Sequence, residues 1–180
     1  MNRLCRLASE SLDLWDVPEG ATARLINVSE NATFLVEGPD EFRSVLRIHR
    51  ENYHSRNAIQ CELDWSRALH HEGNVLTPLC YPGKNGEAVQ SMAIEGLDNP
   101  RHLVMFEFIE GVEPAEDEDH VALFSQLGDI AARTHLHSIG WQRPATFERL
   151  IWDTASVFGE TPTWGDWRDG PNVGSSERGI

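Results

Sequence analysis

The segment SVLRIHR, residues 44–50, has the composition of a β-strand but carries an arginine at its centre. Successive side chains of a strand point to opposite faces, so Arg47 and His49 share one face, and Leu46 and Ile48 share the other. A guanidinium among apolar neighbours is costly to bury unless an opposite charge pairs with it. The segment therefore predicts a partner carboxylate elsewhere in the chain.

The surrounding sequence predicts a meander of short strands and one amphipathic helix. Apolar runs alternate with polar turns that contain Gly, Pro, Asn or Asp, which is typical of antiparallel strands. In chain order we predict strands at 24–28, 32–37 and 42–50, a helix at 58–71, two strands within 75–94, and an apolar strand at 102–111 that leads into an acidic connector.

The C-terminal third changes to a helical pattern. Residues 120–138 place apolar side chains on one stripe at helical spacing, and 145–159 predicts a further helix before a tail rich in Gly, Pro and Ser. We expect three parts: a helical N-terminal segment at 1–20, a small lobe with its hinge at 21–111, and a partial helical lobe with a flexible tail at 112–180.

The helix at 58–71 supplies the carboxylate that the strand arginine requires. Steps of about 100° per residue put Cys61, Glu62, Trp65 and Leu69 on one face, so Glu62 lies within an apolar stripe. Two opposite charges on the buried sides of consecutive elements satisfy each other. We predict an ion pair between Arg47 and Glu62.

A strand arginine followed by a helix glutamate resembles the small lobe of the protein-kinase-like fold. Closest in pattern is the aminoglycoside phosphotransferase and choline kinase family, whose motifs are similar to ENATFLV at 30–36, LRIHR at 46–50 and the spacing of glutamate, tryptophan and leucine at 62–69. The resemblance covers about residues 20–138. It implies an α+β fold, with a sheet of about five strands, mixed or antiparallel, one packed helix, and the first helices of an incomplete helical lobe.

The resemblance also implies a nucleotide site. Arg47 would contact the phosphates of ATP, and Glu62 would orient that arginine. Family position places the turn with Ser29 and Asn31 over the nucleotide, although it lacks a GxGxxG motif. Along the strand into the hinge, Met105 would line the back of the adenine pocket and the backbone of Phe106 and Phe108, with Glu107 between them, would bind the adenine edge.

The ordinary structural alternatives are a purely structural Arg47–Glu62 pair, a simple hairpin turn at 29–31 and a core strand at 102–111. We interpret Lys84, the only lysine, as an exposed turn residue. His135 and His137 are two apart on a helix and point about 200° away from each other, so they cannot chelate one metal ion.

Composition limits the partners. The net charge is −14, with acidic residues concentrated at 107–120, which disfavours nucleic acid and favours cationic partners, although such a run is more often a solvated surface. No apolar segment approaches the roughly 20 residues of a membrane span. Cys5, Cys61 and Cys80 are odd in number and widely spaced, which favours reduced thiols in the cytoplasm.

Working members of the family need a catalytic-loop aspartate with an asparagine five residues later, and a second aspartate for Mg²⁺. No His-x-Asp motif occurs in the 180 residues, and Asp153, Asp166 and Asp169 lack the pattern. We therefore expect a truncated ATP-dependent phosphotransferase of small hydroxyl-bearing, cationic molecules, such as amino alcohols, aminoglycosides or homoserine, that is inactive alone. The alternatives are a non-catalytic nucleotide- or partner-binding module that self-associates through the incomplete lobe, and a fragment of a serine/threonine protein kinase.

Overall fold

The structure is a computed structural model that describes residues 2–112, 114 and 120–179. The strands are β1 Thr22–Val28, β2 Ala32–Glu37, β3 Arg43–Ile48, β4 Cys80–Tyr81, β5 Gln90–Met92 and β6 Arg101–Glu107. The α-helices are α1 Asn2–Ser11, α2 Arg56–Glu72, α3 His120–Gly140 and α4 Thr154–Phe158, and short 3-10 turns occupy Leu12–Leu14, Trp167–Asp169 and Glu177–Gly179.

All six strands form one antiparallel sheet. The order is β1-β2-β3-β6-β4, and β5 pairs with the other end of the same edge of β6. The register aligns Thr33 of β2 with Arg47 of β3, and Arg47 with Val104 of β6. Since aligned residues share a face, the register fixes which side chains surround Arg47.

The two faces of the sheet carry different helices. One face packs against α1 and the turn after it, in a core that includes Trp15, Phe34, Leu46 and Met105. On the other face, Ile59 and Leu63 of α2 pack against Val104 and Phe106. The alternation of side chains along β3 and β6 supplies both cores from the same strands.

Backbone groups at both ends of helix α2 are satisfied by capping hydrogen bonds. The Ser55 hydroxyl oxygen accepts a hydrogen bond from the backbone N–H of Ala58 at 3.0 Å, which caps the N-terminus. At the other end the N–H of Gly73 donates to the carbonyl of Leu69 at 3.0 Å. The cap therefore fixes where the glutamate-bearing helix begins relative to β3.

The structure confirms the predicted α+β fold with an antiparallel sheet. It differs in detail, because the sheet has six strands and a second helix, α1, packs on the face opposite α2. The helix predicted at 145–159 is limited to Thr154–Phe158, where Asp153 forms a capping box with Ser156.

The described residues divide into two compact units, Met1–Phe147 and Glu148–Ile180. The division predicted at residues 20 and 111 stays a prediction. Within the described part of the chain, no helix is long and apolar enough to cross a membrane.

Candidate nucleotide site

The predicted ion pair is present. Nη1 of Arg47 donates to Oε1 of Glu62 at 2.8 Å, and the two side chains are 30% and 28% exposed. The pair is thus partly open to solvent, so a ligand can reach the guanidinium from the side that Glu62 does not cover. This openness distinguishes it from a pair sealed in the core.

An aromatic ring supports the guanidinium. The Cζ atom of Arg47 lies 4.8 Å from the centroid of the Phe106 ring. Phe106 is aligned with Val45, and Val45 stands two residues before Arg47 on the same face. Cation–π contact of this kind restricts the guanidinium plane and leaves its remaining N–H groups directed away from the ring.

The face that carries Arg47 is apolar toward the sheet edge. Val45 is half-buried and aligned with Leu35, while Ile26 of β1 is 53% exposed. An exposed apolar residue on a sheet edge, beside a charged group that projects from the same sheet, suits a ligand with one flat apolar end and one anionic end.

The β1–β2 turn is fastened to the end of β3. The N–H of Ser29 donates to the carbonyl of Asn31 at 3.0 Å, and Oδ1 of Asn31 accepts from the backbone N–H of Arg50 at 3.1 Å. The Arg50 guanidinium also pairs with Oε2 of Glu30 at 2.9 Å. Asn31 therefore positions the turn through its side-chain oxygen, and the turn lies next to the strand end that carries Arg47.

The strand into the connector has a structural glutamate. The backbone N–H of Glu107 donates to the carbonyl of Leu79 at 2.9 Å, and its Oε1 accepts from the backbone N–H of Leu79 at 3.0 Å. Both groups of Glu107 thus attach the segment before β4 to β6. Phe106 is aligned with Val45 on one side and Cys80 on the other, within the sheet.

After β6 the connector is held by an arginine from β3. The Cζ atom of Arg43 lies 4.4 Å from the centroid of the Phe108 ring, and its guanidinium forms an ion pair with Glu110. The start of the connector is therefore tied back to the sheet. Much of the predicted acidic region at 107–120, namely residue 113 and residues 115–119, lies outside the described residues.

Met105 lies on the face of the sheet opposite Arg47, and its role at the adenine pocket stays a prediction. Met105 is 1% exposed and packs in the α1 core, across the sheet from Arg47. The side chain on the Arg47 face is that of Phe106. The reason is the alternation of a strand, which puts neighbouring residues on opposite faces, so that the residue aligned with Val45 decides the assignment.

Other sequence predictions fall outside the site. Lys84 is exposed, and its backbone N–H donates to the carbonyl of Leu14 at 2.8 Å. The ring of His137 contacts Glu72, with Nε2 3.2 Å from Oε2. No group of three or more His, Cys, Asp or Glu suited to a metal ion occurs among the described residues.

Sequence reasoning named Phe106 only for its backbone and missed Arg50 and His49. Phe106 supports the guanidinium, Arg50 fastens the turn, and His49 is buried beside the Arg47–Glu62 pair. Burial lowers the pKa of His49 to about 4, and the positive charge of Arg47 acts in the same direction. The period of the strand placed His49 on the Arg47 face, which was the available signal for its position.

Comparison with known proteins fits this arrangement. The sequence profile of the APH phosphotransferase enzyme family matches residues 22–169, so the chain belongs to that family. No curated protein sequence matches the chain.

Two solved structures are similar to the chain. The microcompartment-associated aminopropanol kinase is 42% identical, with a TM-score of 0.84, over 97% of this chain and 53% of that protein. Amicoumacin kinase hAmiN, in complex with AMP-PNP, Ca²⁺ and Ami, shares the fold at 21% identity and a TM-score of 0.68, over 84% of this chain and 45% of its own. The chain thus spans about half the length of these kinases.

Proposed function

We propose that the chain is the nucleotide-binding half of an ATP-dependent phosphotransferase that acts on hydroxyl groups of small molecules. The observation that carries the proposal is the 2.8 Å contact between Arg47 and Glu62 on an open face of the sheet. Membership of the phosphotransferase family supports it. A neighbour of the same fold is complexed with AMP-PNP and Ca²⁺, which supports ATP with a divalent metal as the cofactor.

The nucleotide would lie along the Arg47 face. Its base would pack on the apolar surface of Val45 and Ile26, beside the buried ring of Phe106, and its phosphates would accept hydrogen bonds from the guanidinium. The edge of the base would meet the backbone where β6 leaves the sheet, from the Glu107 carbonyl to Phe108. The backbone of Phe106 lies within the sheet, so this placement moves the contact one residue later than its sequence assignment.

Within this arrangement Glu62 orients the guanidinium of Arg47. A carboxylate that accepts from one guanidinium nitrogen fixes the plane of the others, and the ring of Phe106 limits rotation about the side chain. The guanidinium then neutralises phosphate charge without reorganising when the nucleotide binds. The turn of residues 29–31, held by Arg50, would close over the phosphates from the strand end.

The substrate class follows from the neighbours and the charge pattern. One similar kinase is named for aminopropanol and the other for amicoumacin, and the former is 42% identical to the chain. We propose a small cationic molecule with a free hydroxyl, such as an amino alcohol, an aminoglycoside or homoserine. Acidic residues past the connector would attract its ammonium group.

We place the catalytic aspartate and the Mg²⁺ ligands outside these 180 residues. The sequence holds no His-x-Asp motif, and the similar kinases are about twice as long as the matched region. Phosphoryl transfer depends on positioning and on metal neutralisation of charge. We therefore expect this chain alone to bind ATP without transferring phosphate, and we propose a cytoplasmic location, in keeping with its free thiols.

Calorimetry with ATP tests the function directly. The chain should bind ATP, and Arg47→Met, which keeps the length and packing of the stem but removes the donors, should weaken binding at least tenfold. Arg24→Gln, a change in an exposed arginine of β1, is the matched control and should leave the affinity within twofold. Unchanged ATP affinity in Arg47→Met would leave the ion pair with a structural role only.

A second candidate is a non-catalytic module that pairs with a second copy of itself. It is favoured by α3, whose described residues include no buried side chain and whose exposed apolar residues include Val121, Phe124 and Leu127. Phe124 and Leu127, together with Leu123, line a surface depression of about 520 Å³. Light scattering separates the candidates: a monomer that binds ATP supports the phosphotransferase, and a stable dimer without ATP affinity supports the module.

A protein-kinase-like fragment would instead show its activity as phosphate transfer to serine or threonine once the rest of the fold is present.

A further inference from the structure

Two clefts meet at the segment that follows β3. The larger has a volume of about 590 Å³ and lies between the start of α1, the β1–β2 turn and residues 48–52. The smaller, of about 400 Å³, lies between residues 49–55 and 99–102. Both are lined by Arg50, Glu51 and Arg101, so the two clefts share one polar wall.

The larger cleft lies on the α1 face of the sheet. Its lining includes Val28, Ala32 and Ile48, which are aligned with each other across β1, β2 and β3. Ala32 and Ile48 belong to the core that packs on α1. Arg47 is aligned with Thr33 on the opposite face, so this cleft is separate from the proposed nucleotide site.

The cleft is positive within a strongly negative chain. Arg3, Arg50 and Arg101 line it, against the two carboxylates Glu30 and Glu51, whereas the whole chain has a net charge of −14. The guanidinium of Arg3 donates to the carbonyl of Gly96 at 2.6 Å, and this bond to a neutral group does not neutralise the charge of Arg3. One positive charge therefore remains uncompensated in the cleft wall.

One side chain at this wall has a buried polar atom that lacks a partner among the described residues. Nη2 of Arg101 pairs with Oε2 of Glu51 at 2.6 Å, but Nη1 is buried without an acceptor, and the side chain is only 12% exposed. Buried donors normally have acceptors, and leaving them unpaired costs free energy.

We propose that the larger cleft is a second ligand site, specific for a small oxyanion-bearing metabolite that carries a phosphate or a carboxylate group. An oxyanion supplies acceptors to the unpaired Nη1 of Arg101 and balances the excess charge of Arg3. Guanidinium groups bind such anions through directed N–H donors. The site goes beyond the proposed phosphotransferase, since its lining includes neither Arg47 nor Glu62, and it shares with the proposed nucleotide site only the β1–β2 turn that contains Ser29 and Asn31. Its ligand would touch the β1–β2 turn from the side opposite the nucleotide.

The test measures anion binding in a background that lacks the nucleotide arginine. In Arg47→Met, calorimetry at constant ionic strength with inorganic phosphate and, separately, malonate should give a dissociation constant below about 1 mM for at least one anion. Adding Arg101→Gln should weaken that binding at least fivefold. Phosphate binding alone identifies a phosphorylated ligand, and malonate binding identifies a carboxylated one.

Matched variants keep the result interpretable. Arg3→Gln changes an exposed residue, so it should fold even if Arg101→Gln does not, and it should also weaken anion binding at least threefold. Arg24→Gln, on β1 outside the cleft, should leave the affinity for the anion unchanged.

Three results would overturn the proposal: no binding of either anion, binding that Arg101→Gln and Arg3→Gln both leave intact, or anion binding that is lost in Arg47→Met itself. The last result would place the anion in the nucleotide site. These outcomes are distinct from failure of the proposed function, which is read from ATP affinity and not from phosphate or malonate.

Discussion

Replacing Glu62 by glutamine separates the positioning role of the carboxylate from its contribution to stability. At 2.8 Å the Coulomb attraction in the pair is about 1.5 kcal/mol in bulk water and about 6 kcal/mol at an effective dielectric constant of about 20. Desolvation and lost side-chain entropy offset much of this. Because the side chains are 30% and 28% exposed, we expect Glu62→Gln to destabilise the fold by only about 1 to 2 kcal/mol.

The same substitution should act more strongly on the nucleotide. Without the carboxylate, the guanidinium is no longer held in one orientation, and we expect ATP affinity to fall about tenfold, which is about 1.4 kcal/mol. Urea denaturation gives the stability, and calorimetry with ATP gives the affinity. Glu37→Gln is the control, because Glu37 pairs with Arg24 at 3.7 Å with both side chains largely exposed, and it should change neither quantity beyond about 0.5 kcal/mol.

The reasoning fails if Glu62→Gln lowers stability by the expected amount while ATP binds as tightly as before. The carboxylate would then support only the packing of α2 on the sheet. A loss above about 3 kcal/mol would also contradict it, since that magnitude belongs to a pair fully removed from water.

Three further predictions concern other parts of the chain. Burial lowers the pKa of His49 from 6.5 to about 4, so the unfolded state binds more protons than the folded state between these pH values. The free energy of unfolding therefore falls as the pH is lowered from 6.5 to 4, by up to about 3 kcal/mol. In urea titrations His49→Gln should remove this fall, and the control His71→Gln should not. Phe124→Glu with Leu127→Glu should lower the light-scattering mass of the chain if α3 pairs with a second copy, and an unchanged mass would exclude that surface. Asn31→Ala should loosen the β1–β2 turn and weaken ATP binding about fivefold with little loss of stability, whereas an unaltered affinity would remove the turn from the site.

The ion pair could be predicted from sequence because two different periods agreed. The two-residue repeat of β3 put Arg47 on a definite face, and the helical repeat of α2 put Glu62 within its apolar stripe. A charge inside an apolar pattern requires a partner, and the nearest element offered one. The antiparallel order followed from the short polar turns between strands.

The register across the sheet could not be predicted in the same way. Whether Met105 or Phe106 faces Arg47 depends on how β6 aligns with β3, and a shift of one residue exchanges the two faces. Both residues are apolar, so composition does not distinguish them. The sequence likewise predicts a helix at α1, but it does not show that this helix packs on the face of the sheet opposite α2.

The contacts of Arg50, Glu107 and Arg101 depend on tertiary structure alone. Each joins segments separated by at least 19 residues, such as Arg50 with Asn31, and Glu107 with Leu79. Charged residues that lie outside an apolar stripe give no periodic signal before the chain is folded. Their positions at the ends of strands become meaningful only when the strands are aligned.

Met105 and Phe106 of β6 pack in different cores, and this has a practical consequence for the design of ATP analogues. Trimming Phe106 to alanine would open room beside Arg47, where an ATP analogue enlarged at the base could fit, while the α1 core that contains Met105 would keep its volume. The equivalent change at Met105 would create a void on the far face and admit nothing. Binding of such an analogue by the Phe106→Ala variant, and not by a Met105→Ala variant, would place the proposed nucleotide site on the Phe106 side of the sheet.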